Sequence, residues 1–245
     1  MSAKKPTIWL LDEYKLSMDS WWFQLGAPAT MNFPEYFALA EKEERTDVEE
    51  ERRKKMLHQI VESIDLYLEH KAFPPSTLPH AMYADFQVMY AKFPREKLSS
   101  LITPVFGISS KYIMITEPLF HILRNFCLGS TQISSVKLYE KTTGELLSEQ
   151  TYYFINVCEN HGYLSPEDNS SIKMAHRGLR KIYSLPSNNT KAKKFRFSQE
   201  SLNCPVDIWH DPLLEDSVFL SEPLLRAIQE AGLYKGFSCF SCVLV

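Results

Sequence analysis

Most of the chain consists of short apolar runs broken by polar and proline-containing stretches; one long segment instead carries helical spacing. Thr7 to Leu11 has the length and composition of a strand. Trp21, Trp22 and Phe23 form a bulky cluster expected to anchor the core of the N-terminal part, and Phe33 to Ala40 predicts a short helix. The long segment runs from Thr46 to His70. Thr46 and Glu49 stand at capping-box spacing, so each can satisfy an orphan amide at a helix start. Met56, Ile60, Ile64 and Tyr67 with Leu68 then fall on one stripe of that helix. Its other face is charged, from Glu49, Glu50 and Glu51 through Arg52, Arg53, Lys54 and Lys55, and reads as a solvated face. Pro74, Pro75 and Pro79 place a loop after it.

Beyond about Leu101 one pattern occurs twice. Ile113 to Leu123 reads IMITEPLFHIL, and Val218 to Ile228, 105 residues further on, reads VFLSEPLLRAI. Each predicts a strand that turns directly into a helix. Thr116 and Ser221 stand where a hydroxyl can cap the first free amides. Glu117 and Glu222 lie at the positive end of the helix dipole. Pro118 and Pro223 fall in the first turn, where a missing N–H costs nothing. Leu119, Phe120, Ile122, Leu123 and Phe126 make one apolar face; Leu224, Leu225, Ala227, Ile228 and Ala231 make the other. Gly129 and Gly232 are placed to end the helices. Strand-like runs follow from Gln132 to Tyr139 and from Gly236 to Leu244, and Tyr152 to Val157 adds another. Two copies are too few for a solenoid. The expected fold is α+β: mixed sheets with two related strand–helix–strand units in the C-terminal half, and a helical N-terminal region. The expected organisation is residues 1–100 with the long charged helix and residues 101–245 as an α+β domain, or one compact unit overall.

Composition narrows the function. The chain has 245 residues, 44% of them hydrophobic and 23% charged, which excludes wholesale disorder. A formal net charge of −3 gives no general affinity for polyanions, and 8 glycines leave little material for phosphate-cradling loops. After Lys4 and Lys5 only four apolar residues, Ile8 to Leu11, precede Asp12, too short an apolar run for a signal peptide, and no run has the length of a membrane span. Five cysteines, odd in number and sparse, fit reduced thiols in a cytoplasm. Cys242 to Val245 matches the prenylation pattern literally, but the apolar stretch from Phe237 reads better as a final buried strand.

No nucleotide-binding glycine motif, HExxH or GxSxG is present. Cys239 and Cys242 are spaced as a metal-binding pair, with Cys204 and His210 as the nearest completing ligands, yet a second tight pair is absent and no metal is expected. Cys158 and His161 are three apart, which reads as a structural cysteine beside a surface histidine. No catalytic residue and no cofactor is assigned.

Charge is distributed unevenly. Between Asn169 and Gln199 there is no acidic residue, while Lys173, Arg177, Arg180, Lys181, Lys191, Lys193, Lys194 and Arg196 give +8, so the remainder carries −11. Phe195 and Phe197 interleave the last of these. Nucleic-acid binding, steering toward an acidic protein partner and a solvated linker are all open readings.

The stretch from Asp207 to Phe237 resembles the end of an immunity-protein-11-type domain of bacterial polymorphic toxin systems. Trp209, Ser221, Glu222, Leu225, Ile228, Gly232, Leu233, Gly236 and Phe237 occupy the places of its aromatic element, Ser-acid turn, apolar helix and closing Gly-Leu-x-x-Gly-aromatic. Tyr112 to Leu123, Gln132 to Tyr139 and Tyr152 to Val157 are similar upstream, so the likeness covers about Leu101 to Phe237; residues 1–100 do not share it. The resemblance implies a cytoplasmic, non-enzymatic bacterial protein that binds a cognate toxin, often a nuclease, and blocks it stoichiometrically. The expected partner is that toxin, not a membrane or a nucleic acid. Charged anchors for it are sought at Glu49 and Glu50 on the helix and at Lys191, Lys193, Lys194 and Arg196 in the basic segment. The alternative is a nucleic-acid-binding or other interaction module using residues 173–196, and a third reading is an enzyme with an unfamiliar site.

Overall fold

A computed structural model describes residues 6–11, 23–26, 32–70, 72, 78–84, 104–107, 113–141, 143–169, 172–177, 180–184, 195–214, 217–234 and 239–245. In chain order these form β1 (Ile8–Leu11), β2 (Phe23–Gly26), α1 (Phe33–Glu41), α2 (Asp47–His70), β3 (Ala81–Ala84), β4 (Val105–Gly107), β5 (Ile113–Thr116), α3 (Glu117–Leu123), β6 (Gln132–Glu140) and β7 (Leu146–Asn156). There follow β8 (Lys173–Arg177), β9 (Arg180–Ser184), β10 (Arg196–Phe197), β11 (Ile208–Trp209), β12 (Phe219–Ser221), α4 (Glu222–Glu230), β13 (Cys239–Ser241) and β14 (Val243–Leu244). The fold is α+β. Two compact units are built from non-contiguous segments: residues 1–16, 118–131 and 157–245 in one, and 17–117 with 132–156 in the other.

The second unit holds a six-stranded mixed sheet in the order β2-β3-β6-β7-β5-β4. Only the β3–β6 pair in it is parallel. Asn32 caps α1 by accepting from the Glu35 amide, and Pro34 sits in its first turn. The Thr46–Glu49 capping box forms as its spacing predicts: the Thr46 amide donates to Glu49 Oε2 at 2.9 Å and the Glu49 amide to Thr46 Oγ1 at 3.3 Å. Of the apolar stripe on α2, Met56 is buried and Ile60 half-buried, packed with Phe37, Leu39, Ala81 and Tyr83. Ile64, Tyr67 and Leu68 lie where only the backbone is described, and Trp21 and Trp22 lie outside the described residues. Strand β3 was not evident from sequence; its four residues follow Pro79 and pair in register with Lys137 to Glu140.

The first unit holds the four-stranded sheet β11-β12-β1-β13 and the two-stranded pairs β10–β14 and β8–β9. Its core is aromatic. Trp209 stacks on Phe219 with centroids 5.7 Å apart, and Phe197 meets Phe219 edge-on at 5.0 Å. Ile8, Leu10, Phe195, Leu214 and Cys242 complete it. The expected final strand is interrupted at Cys242. That residue's amide donates to Ile8 O, continuing the β1 side, whereas the next donates from Val243 to Phe195 O, so the chain changes sheets there. Val243 and Val245 are exposed, so the terminal run is buried at Cys242 and not throughout.

The two repeated segments have the same topology. In the first, β5 and β6 flank β7, both antiparallel to it, with α3 between them in the chain. In the second, β12 and β13 flank β1, again both antiparallel, with α4 between them. The likeness extends one strand outward, since β4 pairs antiparallel with β5 as β11 does with β12. The strand inserted between the pair differs in origin: β7 follows β6 directly, whereas β1 comes from the opposite end of the chain.

The helix ends also differ. Ser221 caps α4 by accepting from the Leu224 amide, but Thr116 turns its hydroxyl to Pro104 O at 3.4 Å. Gly232, at φ 70, ends α4 as expected: the Leu233 amide reaches Ile228 O and the Gly232 amide reaches Gln229 O, a Schellman arrangement. Gly129 does not end α3, which stops at Leu123. Gly129 serves a close approach instead, because a Cβ there would collide with Glu159 Oε1.

Candidate functional site

The acidic candidates sit in the first turn of α2 and are engaged by their own neighbours. Lys42 Nζ donates to both Glu49 oxygens at 2.7 and 2.8 Å, and the Thr46 amide adds a third bond. Lys42 first, then the Thr46 amide, hold the Glu49 carboxyl down to about 2 from the ordinary 4.5. Glu50 forms a forked pair with Arg53 at 3.0 and 2.7 Å, which lowers its carboxyl, and Arg45 approaches at 3.8 Å. The Arg45 guanidinium also donates to Leu39 O and Ala40 O, covering carbonyls at the end of α1. These acids therefore knit α1 to α2.

Among the basic candidates, Lys191, Lys193 and Lys194 lie outside the described residues. Arg196 is exposed on β10, with its backbone pinned by Asn169: the Arg196 amide donates to Asn169 Oδ1, and Asn169 Nδ2 donates to Arg196 O, both at 2.9 Å. Phe195 and Phe197 on either side are fully buried, so strand alternation turns the aromatics inward and Arg196 outward. They form core and offer no stacking platform for bases. The structure does not join Arg196 to Glu49 and Glu50 within one unit. The upstream basic residues Lys173, Arg177, Arg180 and Lys181 belong to the β8–β9 hairpin, a pairing that sequence reading left as an open segment.

The most densely bonded polar groups were not singled out from sequence. Glu159 Oε1 accepts from the Ser130 amide at 2.6 Å and its hydroxyl at 2.7 Å, while Oε2 meets His161 Nε2 at 2.9 Å. The Ser130 bonds, with His161 contributing, lower the Glu159 carboxyl. The His161 ring thus goes to Glu159 and lies parallel to Tyr163, with centroids 6.3 Å apart. Asp211 is buried and accepts from the Tyr163, Leu164 and Leu213 amides at 2.8 to 2.9 Å, a compensation that a buried carboxylate requires. Asp207 accepts from the Cys127 amide at 2.8 Å and from the Ser221 hydroxyl. Gly129 was the available signal for the Glu159 contact; nothing local marked the other two.

These groups organise backbone more than they prepare a reaction. Burial pushes the Cys204 and Cys242 thiols up, away from the thiolate needed for attack, and pushes the Tyr163 hydroxyl up to about 12. Cys239 is half-buried and Cys242 buried, and among the described residues no group of three or more His, Cys, Asp or Glu is arranged to hold a metal ion. No helix among the described residues is long and apolar enough to cross a membrane. No protein-family model matches the chain, and no curated protein matches it significantly.

Proposed function

We propose that the chain is an immunity-type protein that binds a cognate antibacterial toxin and neutralises it stoichiometrically, in the bacterial cytoplasm, without catalysing a reaction. The observation that carries this reading is where the resembling residues fall. Trp209, Leu225 and Ile228 are buried, Ser221 is the cap of α4, and Gly232 closes that helix. The likeness is thus one of framework. The alternative, a nucleic-acid module built on residues 173–196, loses its stacking aromatics to the core but keeps its charge.

Affinity capture of the tagged protein from its source cells at moderate salt, read by mass spectrometry, tests the proposal. One stoichiometric partner carrying a toxin domain, whose killing is relieved by co-expressing this chain, is the expected result. Recovery of no such partner when toxin expression is demonstrated, or a captured toxin that still kills, overturns it.

A further inference from the structure

The first unit is completed by a strand that reaches it from the far end of the sequence. Strand β1 belongs to that unit, but the chain then runs through residues 17–117 of the second unit and returns only at Pro118. Even so, β1 lies inside the four-stranded sheet, between β12 and β13. Ile8, Leu10 and Leu11 are buried. The Leu11 amide donates to Val218 O at 2.9 Å, the Cys242 amide to Ile8 O at 3.0 Å, and the Thr7 hydroxyl to Cys242 O at 2.9 Å. The Trp9 indole donates to Glu222 at the start of α4. The partner of Trp9 is 213 residues away and that of Thr7 is 235. Strand β7 fills the equivalent place in the second unit, yet it is closed onto β6 locally: the Glu140 amide donates to Glu145 O and the Gly144 amide to Glu140 O.

We propose that the slot between β12 and β13 accepts β1 from a second copy of this chain, giving a strand-exchanged dimer. The partners of β1 named above, Val218, Glu222 and Cys242, all belong to the first unit. The same strand from another copy makes the same bonds with them, so exchange forfeits neither the ladder nor the buried side chains. What favours the chain's own β1 is its covalent connection, and that advantage shrinks as the connection lengthens. With 213 residues between Trp9 and Glu222, a second copy at high concentration competes for the slot while the unit folds. Strand β7 meets no such competitor, because its contacts with β6 close locally and early. The inference does not rest on the toxin-binding reading.

Trp9 and Ser241 are opposed in register, and both are at least partly exposed. The neighbouring rung carries the bond from the Cys242 amide to Ile8 O, so theirs is a non-bonded rung. Cα atoms at such a rung stand about 4.5 Å apart, within the range a disulfide spans. Full-length chains carrying Trp9→Cys alone and Ser241→Cys alone are unfolded, mixed, refolded together at high concentration and then oxidised. A disulfide joining position 9 of one chain to position 241 of the other, located by peptide mass mapping, is expected. The chain carrying both substitutions, refolded dilute, should close within itself. The wild type guards against misfolding of the variants: its dimer-to-monomer ratio after refolding, read by light scattering on a sizing column, should rise roughly tenfold for tenfold more chain. A wild type that refolds to monomer at every concentration overturns the proposal. So does a mixture that yields no such link although the double variant closes within itself. A double variant that closes neither within nor between chains removes β1 from this slot, and the proposal with it.

Discussion

The Ser221 hydroxyl is bonded in both senses: it donates to Asp207 Oδ1 and accepts from the Leu224 amide at 3.3 Å. The other oxygen of Asp207 takes the Cys127 amide, and its backbone bonds Cys127 O and the Ser221 amide. One carboxylate therefore ties the cap of α4 to the segment that follows α3. Ser221→Ala removes the cap and leaves Asp207 short of a donor, at a cost of about 1–2 kcal/mol. Asp207→Ala should cost more, since the Cys127 tie goes with it. Urea unfolding of both variants and the double variant checks this; additive losses would show that the shared hydroxyl couples nothing.

Gly129 and Gly232 share a left-handed backbone but differ in surroundings. At Gly232 a Cβ meets nothing within 4 Å, so Gly232→Ala costs only the conformational term, about 1–2 kcal/mol. At Gly129 the added carbon collides with the Glu159 carboxylate and with Val206 Cγ1 at 2.8 Å. Gly129→Ala must also displace the acceptor of both Ser130 bonds, so its loss in denaturant unfolding should clearly exceed that at Gly232. Equal losses would mean that the Glu159 contact yields freely.

What could be read from sequence was what neighbouring residues decide. The capping box at Thr46, the cap at Ser221 and the strand from Gln132 onward are set within a few positions, and they formed as their spacing required. The partners of β1 were not legible, because Ile8 pairs with Ser221 from the far end of the chain. The β8–β9 hairpin was missed for a different reason: its basic residues obscure the apolar alternation that marks strands. Among the candidate site residues, Glu50 has its fork partner Arg53 three positions along the same helix, a local spacing, whereas Glu49 was legible as a charge but not as a paired one, since Lys42 approaches from outside the helix.

That pairing gives Glu49 a pH signature. Its carboxyl titrates at about 2 in the folded chain against an ordinary 4.5, so its contribution to stability is complete above the higher value and is lost as pH falls toward the lower. Helicity followed by circular dichroism should fall over this acid window more in the wild type than in Glu49→Gln, which lacks the ionised partner for Lys42. Parallel acid profiles for the two proteins would show that the ionised Glu49–Lys42 pair does not hold the start of α2.

The cysteines separate by access. Cys127 is exposed, whereas Cys242 is buried in the aromatic core with its thiol pushed up by desolvation. A thiol reagent applied to the native protein should modify Cys127 early and Cys242 only on unfolding. The same burial keeps the Cys242 sulfur from a prenyl donor unless β14 detaches from β10. Rapid native labelling of Cys242, located by peptide mass mapping, would mean that the β10–β14 pair opens readily.

The equivalence of β1 and β7 makes the last prediction the most specific to this fold. Leu10, 2% exposed, stands between Phe219 and Phe240, so β12 and β13 meet only through β1. In the other unit β5 and β6 likewise meet only through β7, but a hairpin tethers β7 to β6. Strand β1 has no such local tether, and its hold rests on ladder bonds and buried side chains. Leu10→Ala should therefore cost about 2–5 kcal/mol. Hydrogen exchange should show Phe219–Ser221 and Cys239–Ser241 losing protection together, because neither strand pairs with the other once β1 is weakened. Loss confined to one of the two strands would mean that the sheet survives without its central member, and the structural equivalence with β7 would then carry no energetic weight.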